Sequence, residues 1–157
     1  MGSSSSRLSY GVDSASTAHA SRVLIRDDTN APPTVQRDLH VARTTRSNLL
    51  LVGRDHVVTR LLPFAIPDLT QAAITRCKNG SLRLPHSSMR PSTVVIRDVD
   101  VLTHGEQRML CEWLQSRGAD MHVVSTASAP LLPLVERSAF NAALYYRLNM
   151  IYIELSE

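Results

Sequence analysis

"NLLLVGRDHVVTRLL", Asn48–Leu62, is the stretch whose reading decides the fold. Leu49 to Val52 run apolar without alternation, the pattern of a strand buried on both faces. Gly53 breaks the run, and Val57, Val58, Leu61 and Leu62 then recur at helical spacing. A two-faced strand that turns through a glycine into an amphipathic helix is one β–α unit of a parallel sheet.

The unit recurs downstream. "STVVI" (92–96) predicts a second buried strand, and "MHVVS" (121–125) a third. Between them, Thr103-His104-Gly105-Glu106 has the spacing of a capping box. Met109, Leu110, Trp113 and Leu114 follow as the apolar stripe of that helix, and Gly118 is placed to end it. Pro130 predicts a first helical turn, a helix is expected from Ser138 to about Leu148, and "MIYIEL" (150–155) is the last strand. Pro63 and Pro67 are expected to stop the helix after Gly53 early. "LTQAAITRC" (69–77) reads as a short helix or a strand, Asn79-Gly80 as a turn, and "SLRLP" (81–85) as a short strand. Strands alternating with helices predict an α/β layer fold with a mostly parallel sheet over 48–157.

The first 47 residues read differently. Residues 1–21 are rich in Ser, Ala and Thr without period, and are expected to be disordered. "RVLIRDD" (22–28) is a possible strand, "TNAPPT" (29–34) a linker, and 35–47 a loose approach to the domain. Apolar residues make 43% of the chain and aromatics only 4%, so the core must be mostly Leu, Val, Ile and Ala. The formal charge of +3 is scattered, and Lys78 is the single lysine. No basic stripe appears, so direct DNA binding is not expected. Cys77 and Cys111 match no metal or redox spacing and suit a reducing cytosol. No apolar run reaches membrane-spanning length, so no membrane association is expected. "MGSSSS" fits a myristoylation start on its face, but reads as a polar terminus.

In parallel sheets, ligands sit at the carboxyl ends of strands. Those ends here are Gly53–Val57, Arg97–Leu102 and Thr126–Ala129. The first is the kind of strand–glycine–helix junction that cradles phosphate. Yet one glycine cannot turn successive N–H groups inward, and β-branched Val57 and Val58 resist positive φ. Asp98, Asp100 and His104 could form a metal set, or be solvated loop acids beside a helix cap. The second reading is preferred, and no metal is expected. His56 and His86 are lone loop histidines.

Three segments together resemble the AAA+ domain of sigma-54-dependent transcription activators. The strongest is "FNAALYYRLNMIYIEL" (140–155), in which Phe140, Leu144, Tyr145, Tyr146, Arg147, Leu148 and Asn149 fall in register with the family. "STVVIRDVDVLTHGEQRMLCEWLQ" (92–115) resembles its second acidic motif and following helix, through Thr93, Leu102, Gln107, Leu110, Leu114 and Gln115. "VVSTASAPL" (123–131) is similar to its sensor strand. The resemblance covers 48–155 and implies a three-layer P-loop NTPase fold preceded by a disordered tail.

It also implies where the catalytic parts belong, and there the sequence departs. The family loop Gly-Glu-x-Gly-x-Gly-Lys-Glu is matched by Gly53-Arg54-Asp55-His56-Val57-Val58-Thr59-Arg60. Gly53, Arg54, Thr59 and Arg60 are thus the vestigial phosphate-loop candidates. Arg97 takes the place of the magnesium-organising Asp, and Asp98 that of the water-polarising Glu; a one-residue shift makes Asp98 the metal acid. Ala127 replaces the sensor asparagine and Asn141 the arginine finger. No Gly-Ala-Phe-Thr-Gly-Ala run exists in these residues, and with Glu157 the last of them, a helical lid and a helix-turn-helix domain are expected to be absent.

The expected function is a catalytically silent domain acting in transcription regulation by protein contact, without a cofactor. Its partner would be an activator of the same family or another copy of itself. Tyr145, Tyr146 and Arg147 are the candidate interaction face, with packing at the domain edge as the plainer reading. One alternative keeps ATP and Mg²⁺ binding, with Arg54 or Arg60 in place of lysine. Another is a receiver-like signalling module, suggested by "VVIRDVDVL", a helix and "HVVSTAS". That module needs an acidic pair at its first strand and a late lysine, which Val52-Gly53-Arg54-Asp55 and Lys78 do not supply.

Overall fold

A computed structural model describes residues 19–24, 31–66, 68–77, 82–86, 91–117 and 120–156. The elements run β1 (His19–Leu24), α1 (Pro33–Thr45), β2 (Leu49–Val52), α2 (Asp55–Ala65), β3 (Ala73–Arg76), β4 (Thr93–Arg97), α3 (His104–Ser116), β5 (His122–Ala127), α4 (Leu132–Glu136), α5 (Ala142–Leu148) and β6 (Ile151–Ser156). Single 3₁₀ turns, Leu69–Gln71 and Val99–Val101, precede β3 and follow β4.

The six strands form one sheet in the order β1-β6-β2-β5-β4-β3. Every pairing is parallel. Because side chains alternate, the sheet has two apolar faces. Leu50, Val52, Val94, Ile96 and Val123 face α3 and α5, packing on Leu110, Leu114, Leu144 and Leu148. Leu49, Leu51, Val95, Val124 and Ile153 face α1 and α2, packing on Val35, Leu39, Val58 and Leu61. This makes helix, sheet and helix, three layers held largely by aliphatic side chains. The order differs from the 2-1-3-4-5 of receiver-like sheets, since β5 lies between β2 and β4.

Several expectations change. Residues 33–45, placed in a linker and loose approach, form α1, with Val35, Leu39 and Ala42 buried against the sheet. Pro33 opens that helix, where a missing N–H costs nothing. The first strand is His19–Leu24, earlier than 22–28. The helix after Gly53 is not stopped at Pro63; it runs through to Ala65 and closes with Ile66 N–H on the Leu62 carbonyl at 2.8 Å. Residues 69–77 resolve into the 3₁₀ turn and β3, while 82–86 are not a strand.

The capping box of α3 is present, but its buried stripe is Gln107, Leu110, Cys111 and Leu114, with Met109 turned outward. Pro133, not Pro130, lies in the first turn of α4. The last helix starts at Ala142 rather than Ser138, because Asn141 caps it by accepting the Leu144 N–H at 3.0 Å. Gly118, Asn79-Gly80, Pro67 and residues 1–18 lie outside the described residues.

Candidate functional site at the strand ends

The three expected strand ends do meet. Gly53, Arg54, Asp55, Val58, Asp98, Thr126, Ala127 and Ser128 line a cavity of about 240 Å³ beside the start of α2. Thr59 and Arg60, one turn further along α2, are exposed and do not line it.

Gly53 is held by geometry rather than by a ligand. Its φ of 157° lies outside the usual range of L side chains, and a Cβ there would stand 2.9 Å from both Cβ and O of Leu155. Its N–H donates to the Ala127 carbonyl at 3.0 Å, so it points into the sheet. The Val57 and Val58 N–H groups both turn back onto the Arg54 carbonyl at 3.0 Å. These amides make a strand-to-helix turn, not a ring of inward N–H groups.

The charge pattern is the feature that sequence reading did not foresee. Arg76 and Arg97 are register partners on β3 and β4, so their guanidinium groups are neighbours at the sheet end. Like charges so placed repel unless an anion lies between them. Asp55, the first residue of α2, supplies it. Its Oδ1 accepts from Nη2 of Arg76 at 3.2 Å and, in a shorter contact, from Nη2 of Arg97. Nη2 of Arg97 also reaches Oγ1 of Thr59 at 2.8 Å. Thr59 in turn donates to the Asp55 carbonyl at 2.7 Å. The helix dipole further favours a carboxylate at this end of α2.

Asp98 completes the set. It is buried in a left-handed conformation, φ 60° and ψ 47°, which aspartate tolerates better than most residues. Its N–H donates to Oγ1 of Thr126 at 3.2 Å, and its Oδ2 lies 3.4 Å from Nε of Arg76. Two arginines and two carboxylates thus neutralise one another. Asp100 is drawn away to Ser128, accepting its N–H at 3.2 Å and its hydroxyl. Among the described residues no three His, Cys, Asp or Glu side chains are grouped as a metal set.

Other matched positions carry structural work. Asn141 is the α5 cap. Gln107, 2% exposed, donates to the carbonyls of Leu102 at 2.9 Å and Ala139 at 3.1 Å, and accepts the Asn141 N–H at 2.8 Å. It therefore pins the α5 approach to the start of α3. Burial, then the charges of Glu106, Asp98 and Asp100, push the Cys77 thiol up to about 12. Of the candidate interaction face, Tyr145 belongs to the core, edge-on to Tyr146 at 5.2 Å. Tyr146 is 68% exposed and Arg147 is exposed, so the face reduces to those two. The Arg147 carbonyl takes the Asn48 amide at 2.6 Å.

Comparison with known proteins fits this architecture. A curated relative, the "Pathogenicity locus probable regulatory protein HrpR" of Pseudomonas syringae pv. syringae, is 30% identical over 110 residues, 58% of this chain. The match spans only 35% of that protein's length. Among solved structures, NtrX from Brucella abortus in complex with ATP superposes with a TM-score of 0.61 at 11% identity, over 77% of this chain and 36% of that one. The P-loop NTPase domain of the sigma-54 transport activator from E. coli gives 0.54 at 19% identity, over 77% and 91% of the two chains. These likenesses carry the fold. The family model described as "Sigma-54 interaction domain" matches residues 31–157. An all-parallel sheet of this order, with that match over most of its length, makes the chain a member of the sigma-54 interaction domain family, a family of transcription regulators.

Proposed function

We propose that this domain does not hydrolyse ATP and acts in transcription regulation through contact with a protein, either an activator of its own family or a second copy. One observation carries the reading. The Asp55 carboxylate sits between Arg97 and Arg76, at the helix end where a nucleotide phosphate would otherwise be drawn. The side chain thus acts as a built-in anion. Those four charged groups offset one another, which weakens the pull of Arg76 and Arg97 on a triphosphate.

Further support comes from size and spacing. The cavity of about 240 Å³ is below the ~300 Å³ at which small-molecule pockets usually begin. The positions matched to catalysis hold Arg97, Ala127 and Asn141, and the last of these is committed to capping a helix. Tyr146 and Arg147 are the exposed remainder of the candidate contact face. Two free, buried cysteines suit a reducing compartment, and the reading places the domain in the cytoplasm without direct contact to DNA. Among the described residues no helix is long and apolar enough to cross a membrane.

Thermal melting with and without Mg-ATP, paired with a phosphate-release assay, tests the silent half. The expected result is an unchanged melting temperature and no turnover; a clear shift or turnover overturns it. Co-purification from the source cell tests the contact half, with Tyr146→Ala and Arg147→Ala expected to reduce recovery of the partner. The competing reading, retained ATP binding, needs Asp98 to hold the metal. Calorimetry with Mg-ATP on wild type and Asp98→Ala separates the two, since that reading requires heat that the variant loses.

A further inference from the structure

A second cleft lies at the opposite end of the sheet, where strands begin. It holds about 400 Å³ and is lined by His40, Arg43 and Arg46 from the end of α1, by Ser92 and Thr93 leading into β4, and by His122 opening β5. Ala65 and Ile66 form an apolar side, and Asp68 is its one carboxylate among the described residues. We propose that this cleft binds an oxyanion of the phosphate type, free or as a small monoester, between the two arginines and the His122 ring.

The arginines are fixed in place. Arg46 follows α1 in the left-handed conformation, φ 54°. Its Nη1 donates to the carbonyls of Ser92 at 3.1 Å and Asp120 at 2.8 Å. Nη1 of Arg43 donates to the Phe64 carbonyl at 3.3 Å. One nitrogen of each is thereby used as an anchor, and a guanidinium offers five N–H donors. The remaining donors are held ready in a cleft whose hydroxyls and imidazoles suit the same ligand.

His122 supplies the independent sign of a ligand. It is 4% exposed, and its Nε2 is buried without a hydrogen-bond partner. Buried polar atoms are nearly always satisfied, so an unmet one on a ring that lines a cleft marks a place where a ligand could change the balance. The groups facing the ring are Arg43, Arg46 and His40 from α1, Arg117 beyond α3, and Asp68 ahead of β3, with Ser92 and Thr93 on the β4 side. Burial first, then Arg46 and Arg117, hold its pKa down to about 4. An anion among those cations reverses the bias, because it rewards the imidazolium. Protonation of the ring would then accompany anion binding, so binding should take up a proton.

The test uses the whole chain and sulfate, which does not change charge between pH 5 and 8. Sodium sulfate is titrated against sodium chloride at matched ionic strength, reading the His122 ring signals by NMR and the melting temperature. Saturating movement of the His122 signals is expected, with affinity rising as pH falls, by up to about tenfold per pH unit. His40→Gln and Arg43→Gln should weaken binding several-fold, and His122→Gln should remove the pH dependence. Should a variant fail to fold, the wild-type NMR titration still decides. A response equal to that of chloride, or an unmoved His122 ring, overturns the proposal. Inorganic phosphate and glycerol phosphate then separate the sources. Tighter binding of the ester places its organic end over Ala65 and Ile66, and its exclusion assigns the free oxyanion.

Discussion

At the scale of single residues, the clearest case is Gly53. It reads as the surviving glycine of a phosphate loop, yet its neighbours explain it without phosphate. The Leu155 backbone and Cβ leave no room for a side chain. Gly53→Ala is expected to cost about 2 kcal/mol in chemical denaturation, from contact and strained φ together. Asp55→Asn removes the carboxylate that separates Arg76 from Arg97. Asp55 is half exposed, so solvent screens the loss, and about 1 kcal/mol is expected, shrinking with added salt. His122 gives a pH effect of opposite character to a salt bridge. Its folded pKa of about 4 lies below the ordinary 6.5, so the unfolded chain binds a proton that the folded one refuses between those values. Stability is therefore full above pH 6.5 and falls as pH drops through that window, by on the order of 3 kcal/mol in total. Denaturation at stepped pH in sulfate-free buffer should show this slope, and His122→Gln should flatten it.

At the scale of elements, α3 shows how much one local pattern decides. Thr103 Oγ1 accepts the Glu106 N–H at 3.3 Å, and Glu106 returns to the Thr103 N–H at 2.9 Å. These bonds hold the Glu106 carboxyl below its usual range. Their contribution is present above about pH 4.5, the ordinary value, and lost as pH falls through the lowered one. Thr103→Ala should cost about 1 kcal/mol in urea denaturation. Gln107 is the larger lever, because its removal leaves two carbonyls and one N–H unmet in a buried place. Gln107→Leu is expected to cost about 3 kcal/mol and to loosen the approach to α5, visible as faster amide exchange at Asn141.

The capping box was legible because its grammar is local: hydroxyl, two residues, carboxylate. The role of Gln107 was not, since its partners lie 32 and 34 residues away at Ala139 and Asn141. Helix α1 escaped for another reason. Its buried stripe is thin, with Val35, Leu39 and Ala42 among polar residues, and the two prolines at its start, Pro32 and Pro33, read as a linker.

At the scale of the whole molecule, the α/β class and parallel sheet were readable from Leu49–Val52, Val94–Ile96 and Val123–Ser125, whose continuous burial leaves a period of its own. The candidate site was readable in part. Its location followed from the strand ends, and the mismatch at Arg97 was plain. That Arg97 and Asp55 answer each other was hidden, because the pairing joins residues 42 apart across a crossover. Asp55 and Arg97, which look like separate departures in the sequence, form one ion pair in space.

The place of β6 has a consequence for the order in which the chain can fold. It pairs with β1 on one side and β2 on the other, at Ile151 with both His19 and Leu49. Of the six described strands, the last in chain order therefore lies between the first two. While residues 151–156 are still within the ribosome, β1 has no strand to join and one edge of β2 stays open. Assembly of that half of the sheet waits until residues 151–156 have been made, and such long-range closure slows folding. Chains released short of Met150 should thus be aggregation-prone, with pelleting after translation as the measure.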